Sequence, residues 1–564
     1  MEYLDFKTAR CKDCYKCLRE CPVKAIKFES HQAKIIEDRC ILCGKCTTVC
    51  PQNAKKVHSE VESVEALLRG GKPVIASVAP SFVSSFGVSD FGVFTIALAK
   101  LGFRGAEETA VGANIVTEEY AKLLASGDYK NFITSACPAI NRMIQLYYPK
   151  ALKYLAPVAS PMVAHARLLK KRYPEAEVVF IGPCIAKKRE AKESGIIAGV
   201  LTFEELSEMF AAKNIDLNAI ASVGNQKEGE ANKARYYPIS RGIIKSFESL
   251  PGGYEYVAVD GVNRSFDVLE GIEDLEGMFI EINCCEYACI NGPCSLKRSG
   301  GALKANEAVR KYVGESGSEP IRIDAEGVNL IEGHPRISVN SVVPGERDIR
   351  AILARTGKFK PEDELNCGAC GYSTCREKAI AVARGNADIE MCIPYMRTRA
   401  ESMSYEIIQN SPNGILILDY DLRISELNGL ARKILGITET DPKGLYIYEC
   451  INADAFVMAL NGGKNVVKKH MFIEQTKRYA DMNIVLLPEH KILFAVLKDV
   501  TDSVAYDKQL DEVKAKTLET TDEVIKKQMR VAQEIASLLG ETTAETKVAL
   551  LKLKKTLSDS KEEE

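Results

Sequence analysis

Eight of the chain's nineteen cysteines fall in one spacing used twice. Cys11-x2-Cys14-x2-Cys17-x3-Cys21-Pro22 returns 29 residues later as Cys40-x2-Cys43-x2-Cys46-x3-Cys50-Pro51. Three closely spaced thiolates wrap one face of a cuboidal [4Fe–4S] cluster, and the fourth of each run reaches across to the other cluster. Zinc knuckles would draw four ligands from adjacent pairs and leave the repeated Cys-Pro without a role. The first sixty residues are therefore expected to fold around two clusters, each half stapled to the other.

The other bulk features set the frame. A chain of 564 residues exceeds one core and predicts several domains. Hydrophobic residues at 46% and charged ones at 27% match a globular protein. A net charge of -2 gives no electrostatic reason to bind nucleic acid or an anionic membrane. No apolar run reaches the length of a membrane span, and the start lacks the apolar core of a signal peptide, so a cytoplasmic protein is expected. Nineteen cysteines in such a chain argue for metal sites over disulfides. With six scattered histidines, iron–sulfur chemistry gains over zinc hydrolysis.

The N-terminal spacing resembles the bacterial two-cluster ferredoxins. That resemblance assigns Cys11, Cys14, Cys17 and Cys50 to one cluster, and Cys40, Cys43, Cys46 and Cys21 to the second. Residues 70–345 read as an α/β domain, with short apolar strands at 74–79 and 177–182 and a helix at 93–102. Within it lie Thr134-Ser135-Ala136-Cys137-Pro138, Gly182-Pro183-Cys184-Ile185-Ala186-Lys187-Lys188 and Glu281-Ile282-Asn283-Cys284-Cys285-Glu286-Tyr287-Ala288-Cys289. These resemble, in the same order, the signatures T-S-C-C-P, M-P-C-x-x-K and E-x-M-x-C-x-x-G-C of the [FeFe]-hydrogenase catalytic domain.

The resemblance implies a cubane on Cys137, Cys184, Cys285 and Cys289, with Cys289 bridging to a two-iron subsite. Lys187 matches the lysine that faces a cyanide of that subsite. Ala79-Pro80-Ser81 and Ser160-Pro161-Met162 resemble two further loops around it. Three positions depart from the family. Ala136 stands where catalytic members have a proton-shuttling cysteine, and Gly182 and Asn283 replace two methionines that pack on the two-iron group. A methyl group carries no proton, and positioned proton transfer contributes roughly 10² to 10⁴ in rate, so slow turnover is expected. A relative that keeps the cubane but lacks the two-iron group is the alternative, favoured by Gly182 and Asn283 and opposed by Lys187 and Cys289. Cys284 and Cys294, without family counterparts, read as small buried hydrophobes or redox-active thiols.

Cys367-x2-Cys370-x4-Cys375-x16-Cys392, in residues 346–400, resembles the small four-cysteine [4Fe–4S] domain of corrinoid proteins and some hydrogenase-like sensors. Its glycines at 368 and 371 permit tight turns, and 376–390 reads as a helix spacing the last ligand. Zinc is the alternative occupant. Residues 404–503, opening NSPNGILILDYDLRISELNGLARKILG, resemble a PAS domain, with later strands at 471–475, 482–488 and 491–502. An unrelated small α/β module is the alternative. Its cofactor is left open, because Cys450 and His470 are lone candidates. In 504–564 a three/four apolar spacing at Val524, Val531, Ile535 and Leu538 breaks near Gly540 and resumes at Val548, Leu550, Leu553 and Leu557. It reads as a helical hairpin or broken coiled coil ending in a frayed tail.

The expected whole is a multidomain α/β and α+β chain. It comprises a two-cluster ferredoxin fold, a hydrogenase-like α/β domain, a small [4Fe–4S] domain, a PAS domain and a C-terminal helical segment. This order resembles the sensory [FeFe]-hydrogenases of anaerobic bacteria. It implies four [4Fe–4S] clusters plus a two-iron subsite, with clusters at both ends of the hydrogenase part. H2 is the expected ligand and redox proteins the expected partners. The output would run to a protein serine phosphatase or kinase, through a homodimer formed by PAS and tail. The alternatives are a low-activity hydrogenase or a subunit of an electron-bifurcating complex. No strand followed by G-x-G-x-x-G opens a helix, so a nucleotide would react on another chain.

Overall fold

The computed structural model describes residues 3–6, 10–29, 32–220, 233–297, 299–314, 323–338, 344–438 and 442–539, with 548 and 552. The chain divides into two compact units, 1–395 and 396–564.

The 29-residue sequence repeat is also a backbone repeat. Left-handed residues recur at matching positions: Asp13 and Leu42, Tyr15 and Gly44, Lys24 and Asn53. Each run opens a one-turn helix, Lys16–Arg19 and Lys45–Thr48. The halves are tied by Leu4–Phe6 pairing antiparallel with Lys55–Val57, and a hairpin joins Ile26–Glu29 to Gln32–Ile35.

The α/β part holds two parallel sheets. One has the order Gly105–Glu108, Val74–Val78, Glu177–Gly182, Gly199–Thr202; the other runs Glu255–Asp260, Met278–Asn283, Asn131–Ile133. Strand Val74–Val78 is buried along its whole length, as expected of a central parallel strand covered on both faces. The expected strands at 74–79 and 177–182 and the helix at 93–102 appear as Val74–Val78, Glu177–Gly182 and Phe91–Leu101. In open parallel sheets ligands gather outside the carboxyl ends of the strands. Ala79, Cys137, Cys184 and the Cys284–Cys289 segment all follow such ends.

Next come helices Glu346–Arg355 and Cys375–Ala383. The second is shorter than the 376–390 expected. It stops at Arg384 and Gly385, whose φ is 69°, and a single turn at Ile389–Met391 completes the spacing to Cys392.

The second unit is a five-stranded antiparallel sheet. Its order is Ile424–Leu427, Gly414–Asp419, Ile492–Asp499, Arg478–Leu487, Val466–Ile473. Helices Gly429–Leu435 and Asp454–Gly462 pack on it through Ile434, Leu435 and Phe456. Asn428 fixes the entry to the first helix. Its Oδ1 accepts from Ala431 N (2.8 Å) and Ile415 N (2.9 Å), and its Nδ2 donates to the carbonyls of Ile408 and Asn413. Helix Thr501–Leu539 follows as one continuous element of 39 residues. Gly540 and most of the second apolar stripe lie outside the described residues.

Candidate metal centres

In each N-terminal run the backbone reaches the fourth cysteine in the same way. Ala25 N donates to Cys21 Sγ (3.3 Å), and Ala54 N donates to Cys50 Sγ (3.4 Å). Such N–H donors favour thiolate, the form that binds metal. The second run lies against the α/β part. A Cβ on Gly44 would stand 2.4 Å from Pro293 Cβ and 2.8 Å from Ile185 Cδ1. That approach requires glycine, whereas the equivalent Tyr15 faces Phe28. Arg189 Nη1 donates to the Cys40 carbonyl (3.0 Å), and Tyr147 OH to that of Arg39 (2.7 Å).

Cys137, Cys184, Cys285 and Cys289 come from three strand ends into one half-buried group. Burial first, and then the other members of the group, push the thiols of Cys285 and Cys289 up, and burial and Cys137 push Cys184 up to about 11. Four thiolates packed together need a compensating positive charge, which an iron cluster supplies. They do not close on one ion: among the described residues no three His, Cys, Asp or Glu side chains group tightly enough for a single metal. Four cysteines with no histidine among them form a donor set that fits a cuboidal iron–sulfur cluster.

Cys284 and Cys294 are buried, as expected of small hydrophobes. Cys284 has a further contact: its thiol donates to Cys43, which pulls the Cys43 thiol down and pushes that of Cys284 up. Its backbone N–H points at Cys137. One residue thus touches a cysteine of the second N-terminal run and one of the α/β group.

Beside Cys289 lies a cavity of about 90 Å³ lined by Ala79, Pro80, Ser81, Ala136, Met162 and Asn283. Lys187 also lines it. The Ser81 hydroxyl is buried with no hydrogen-bond partner, an orphan donor that an anionic group in the cavity would satisfy. Asn283 is tied back, its Nδ2 donating to Asp260 Oδ1 (3.1 Å). Gly182 does not open space, because a Cβ there would meet the Phe180 ring at 2.7 Å. The ring takes the volume that a larger side chain would fill. Lys187 Nζ donates to Ser160 Oγ (2.8 Å) and pairs with Glu190 (2.6 Å). Sequence reasoning missed Glu190, although a partner at i+3 on the helix Ala186–Ser194 is where a lysine finds one.

Cys367, Cys370, Cys375 and Cys392 line one small cavity together with Lys358 and Lys378. Gly368 and Gly371 are left-handed, with φ of 68° and 94°, the conformations expected for tight turns. A capping box of Thr374 and Glu377 starts the helix bearing Cys375, and Cys375 N donates to Asn366 Oδ1 (2.8 Å). Lys378 sits one helical turn after Cys375, a placement legible in the sequence but passed over. Burial lowers its pKa, opposed by Cys392 and Cys370.

This site does not lie at the far end of the α/β part from the N-terminal runs. A Cβ on Gly371 would meet Leu18 Cγ at 2.9 Å and Arg19 N at 3.3 Å. Arg19 Nη1 donates to the Ala369 carbonyl (3.3 Å), and Tyr372 shares a core with Cys21. In the second unit, His470 is exposed at a bulge between Lys468 and Met471, and the Cys450 carbonyl accepts from Gln475 (2.6 Å).

Four family models match in chain order. They are the 4Fe-4S dicluster domain over 10–54, the iron only hydrogenase large subunit, C-terminal domain over 72–293, an Fe-S cluster domain over 363–394, and the PAS fold over 403–493. The periplasmic [Fe] hydrogenase large subunit of Nitratidesulfovibrio vulgaris is 32% identical over 354 residues, which cover 56% of this chain and 83% of that one. Iron hydrogenase 1 of Clostridium pasteurianum is 29% identical over 266 residues, 40% of this chain and 44% of that one. A solved apo [FeFe]-hydrogenase of Chlamydomonas reinhardtii shares 16% identity and a TM-score of 0.38, over 50% of this chain and 100% of its own. Among the described residues no helix is long and apolar enough to cross a membrane. With 83% of a large subunit spanned at 32% identity, the chain belongs to the family of iron-only hydrogenase large subunits and carries a PAS fold besides.

Proposed function

We propose that this hydrogenase-like iron–sulfur protein senses H2, or the redox state linked to it, with slow turnover of its own. Cys137, Cys184, Cys285 and Cys289 hold the cubane, and Ser81, Lys187 and Met162 surround the two-iron group beside Cys289. When bound, that group supplies the H2-binding chemistry and the cubanes supply electrons.

The observation that carries the reading is Ala136 in the wall of the cavity. Its methyl can neither accept nor release a proton, so position 136 offers no acid or base to a group held in the cavity. Lys187 is held by Ser160 and Glu190 and serves as a fixed positive charge toward an anionic ligand. Asn283 and Phe180 shape the pocket without titrating.

The two N-terminal clusters, on Cys11, Cys14, Cys17 and Cys50 and on Cys40, Cys43, Cys46 and Cys21, exchange electrons with redox partners. The PAS fold and the long helix carry the output, as a homodimer, to a protein serine phosphatase or kinase. Infrared spectroscopy of the anaerobically matured protein tests the reading: bands of CO and CN ligands that shift on H2 exposure support it. Their absence after maturation sinks both H2 turnover and H2 sensing.

A further inference from the structure

The cavity walled by Cys367, Cys370, Cys375 and Cys392 differs from the other cysteine groups in its charged surroundings. Lys358 and Lys378 are both buried, at 8% and 5% exposure, and both face the cavity. Lys358 Nζ stands 3.6 Å from Cys392 Sγ, and its other partners, the carbonyl and hydroxyl of Thr356, are neutral. Lys378 Nζ donates to the Ile389 carbonyl (2.8 Å), also neutral. Asp388 lies in electrostatic reach of Lys378 and Asp363 in reach of Lys358, and each offsets part of the charge. The N-terminal runs have one comparable buried lysine, Lys55, near Cys46 and Cys50, and the α/β group has Lys187, also at 8% exposure, whose charge is matched by its ion pair with Glu190.

A desolvated ammonium beside a cluster stabilises the form carrying the extra electron, because Coulomb attraction grows with each added negative charge and is weakly screened when buried. Two such charges, one hydrogen-bonded to a ligand sulfur, raise the reduction potential. The position gives this a use. Gly371, beside Cys370, touches Leu18 and the backbone of Arg19, between Cys17 and Cys21. The cavity therefore adjoins the ferredoxin pair directly.

We infer that Lys358 and Lys378 make the Cys367–Cys392 cluster the highest-potential cubane of the chain, an electron reservoir filled through the ferredoxin pair. The oxidised cluster takes one electron from a reduced ferredoxin-type cluster, which is reoxidised, and no proton moves. Cys392 immediately precedes helix Ile393–Gln409 in sequence, so the reservoir's charge changes at the base of the segment leading to the PAS residues. The inference rests on an iron–sulfur cluster occupying this site.

Potentiometric titration of the full-length, iron-loaded protein followed by EPR tests it. Cys375→Ala identifies the relevant signal by removing it; if no signal disappears, both the occupancy and the inference fall. In the natural protein that signal titrates at the highest potential of the cubanes, and a midpoint below the ferredoxin pair overturns the inference. Lys358→Met with Lys378→Met lowers the midpoint, giving at least a tenfold drop in the reduced-to-oxidised ratio at the natural midpoint, or about 59 mV for one electron. Should the double variant lose iron, each single variant must still move the midpoint downward while Lys358→Arg holds it. Single variants that keep their iron and their midpoint overturn the role of charge.

Discussion

Ala136 and Glu281 show how differently two side chains of the α/β part bear on its behaviour. Ala136 lines the cavity beside Cys289, so Ala136→Cys places an ionisable thiol in its wall, which on the proposed function supplies the missing proton relay. Steady-state H2 oxidation by the matured variant should rise by roughly 10² or more. An unchanged rate would mean that proton delivery is not what limits the natural protein. Glu281 is fully buried and accepts from the backbone N–H groups of Gly242 and Ile244, both at 3.0 Å. Burial pushes its pKa up to about 8 from the ordinary 4.5. Between those values the unfolded chain ionises while the folded one stays protonated. The folded state therefore binds more protons, and this group's contribution to stability falls as pH rises from about 4.5 towards 8. Glu281→Gln should flatten that slope when denaturation midpoints at about pH 6 and about pH 8 are compared. A slope as steep as the natural one would assign the pH dependence to another group.

At the scale of elements, the long helix Thr501–Leu539 leaves an apolar edge uncovered: Leu510, Val513, Val524, Val531 and Ile535 are all exposed. Their offsets follow a three/four spacing interrupted by polar residues, the pattern of a weak two-stranded seam. A helix of 39 residues spans about 58 Å at 1.5 Å per residue, long enough for several layers of such a seam. Val524→Glu and Val531→Glu together should convert a dimer to monomer in sedimentation velocity, with helix content by circular dichroism little changed. A natural protein that sediments as a monomer would remove the seam.

Helix and strand periods made these elements legible, and local spacing made the cysteine groups legible, since a cluster's ligands in one run are set by a few residues of backbone. Contacts between distant segments were not legible. Nothing near Gly44 announces Pro293, nothing near Gly371 announces Leu18, and the Phe180 ring that fills the space over Gly182 is a neighbour only in the fold.

The whole molecule sorts its interior into cores of two kinds. Residues 1–395 carry all the cysteines assigned to clusters, and one core joins Cys17, Cys21, Cys284 and Tyr372 across the ferredoxin, α/β and four-cysteine parts. Clusters held by these cysteines would tie together the segments that supply them, so losing iron should loosen several parts at once. Residues 396–564 hold a separate core of Leu416, Phe456, Ile484 and Leu497, apolar side chains packed on an antiparallel sheet with none of the cysteines assigned to clusters. Anaerobic calorimetry should therefore resolve two transitions. One coincides with bleaching of the iron–sulfur absorbance and moves down when iron is removed by a chelator. The other, reporting the sheet of the second unit, stays at its temperature with or without iron. A single transition that bleaches and melts both units together, or a second transition that follows the iron, would show that the two cores are energetically one and that redox change is felt directly by the PAS fold.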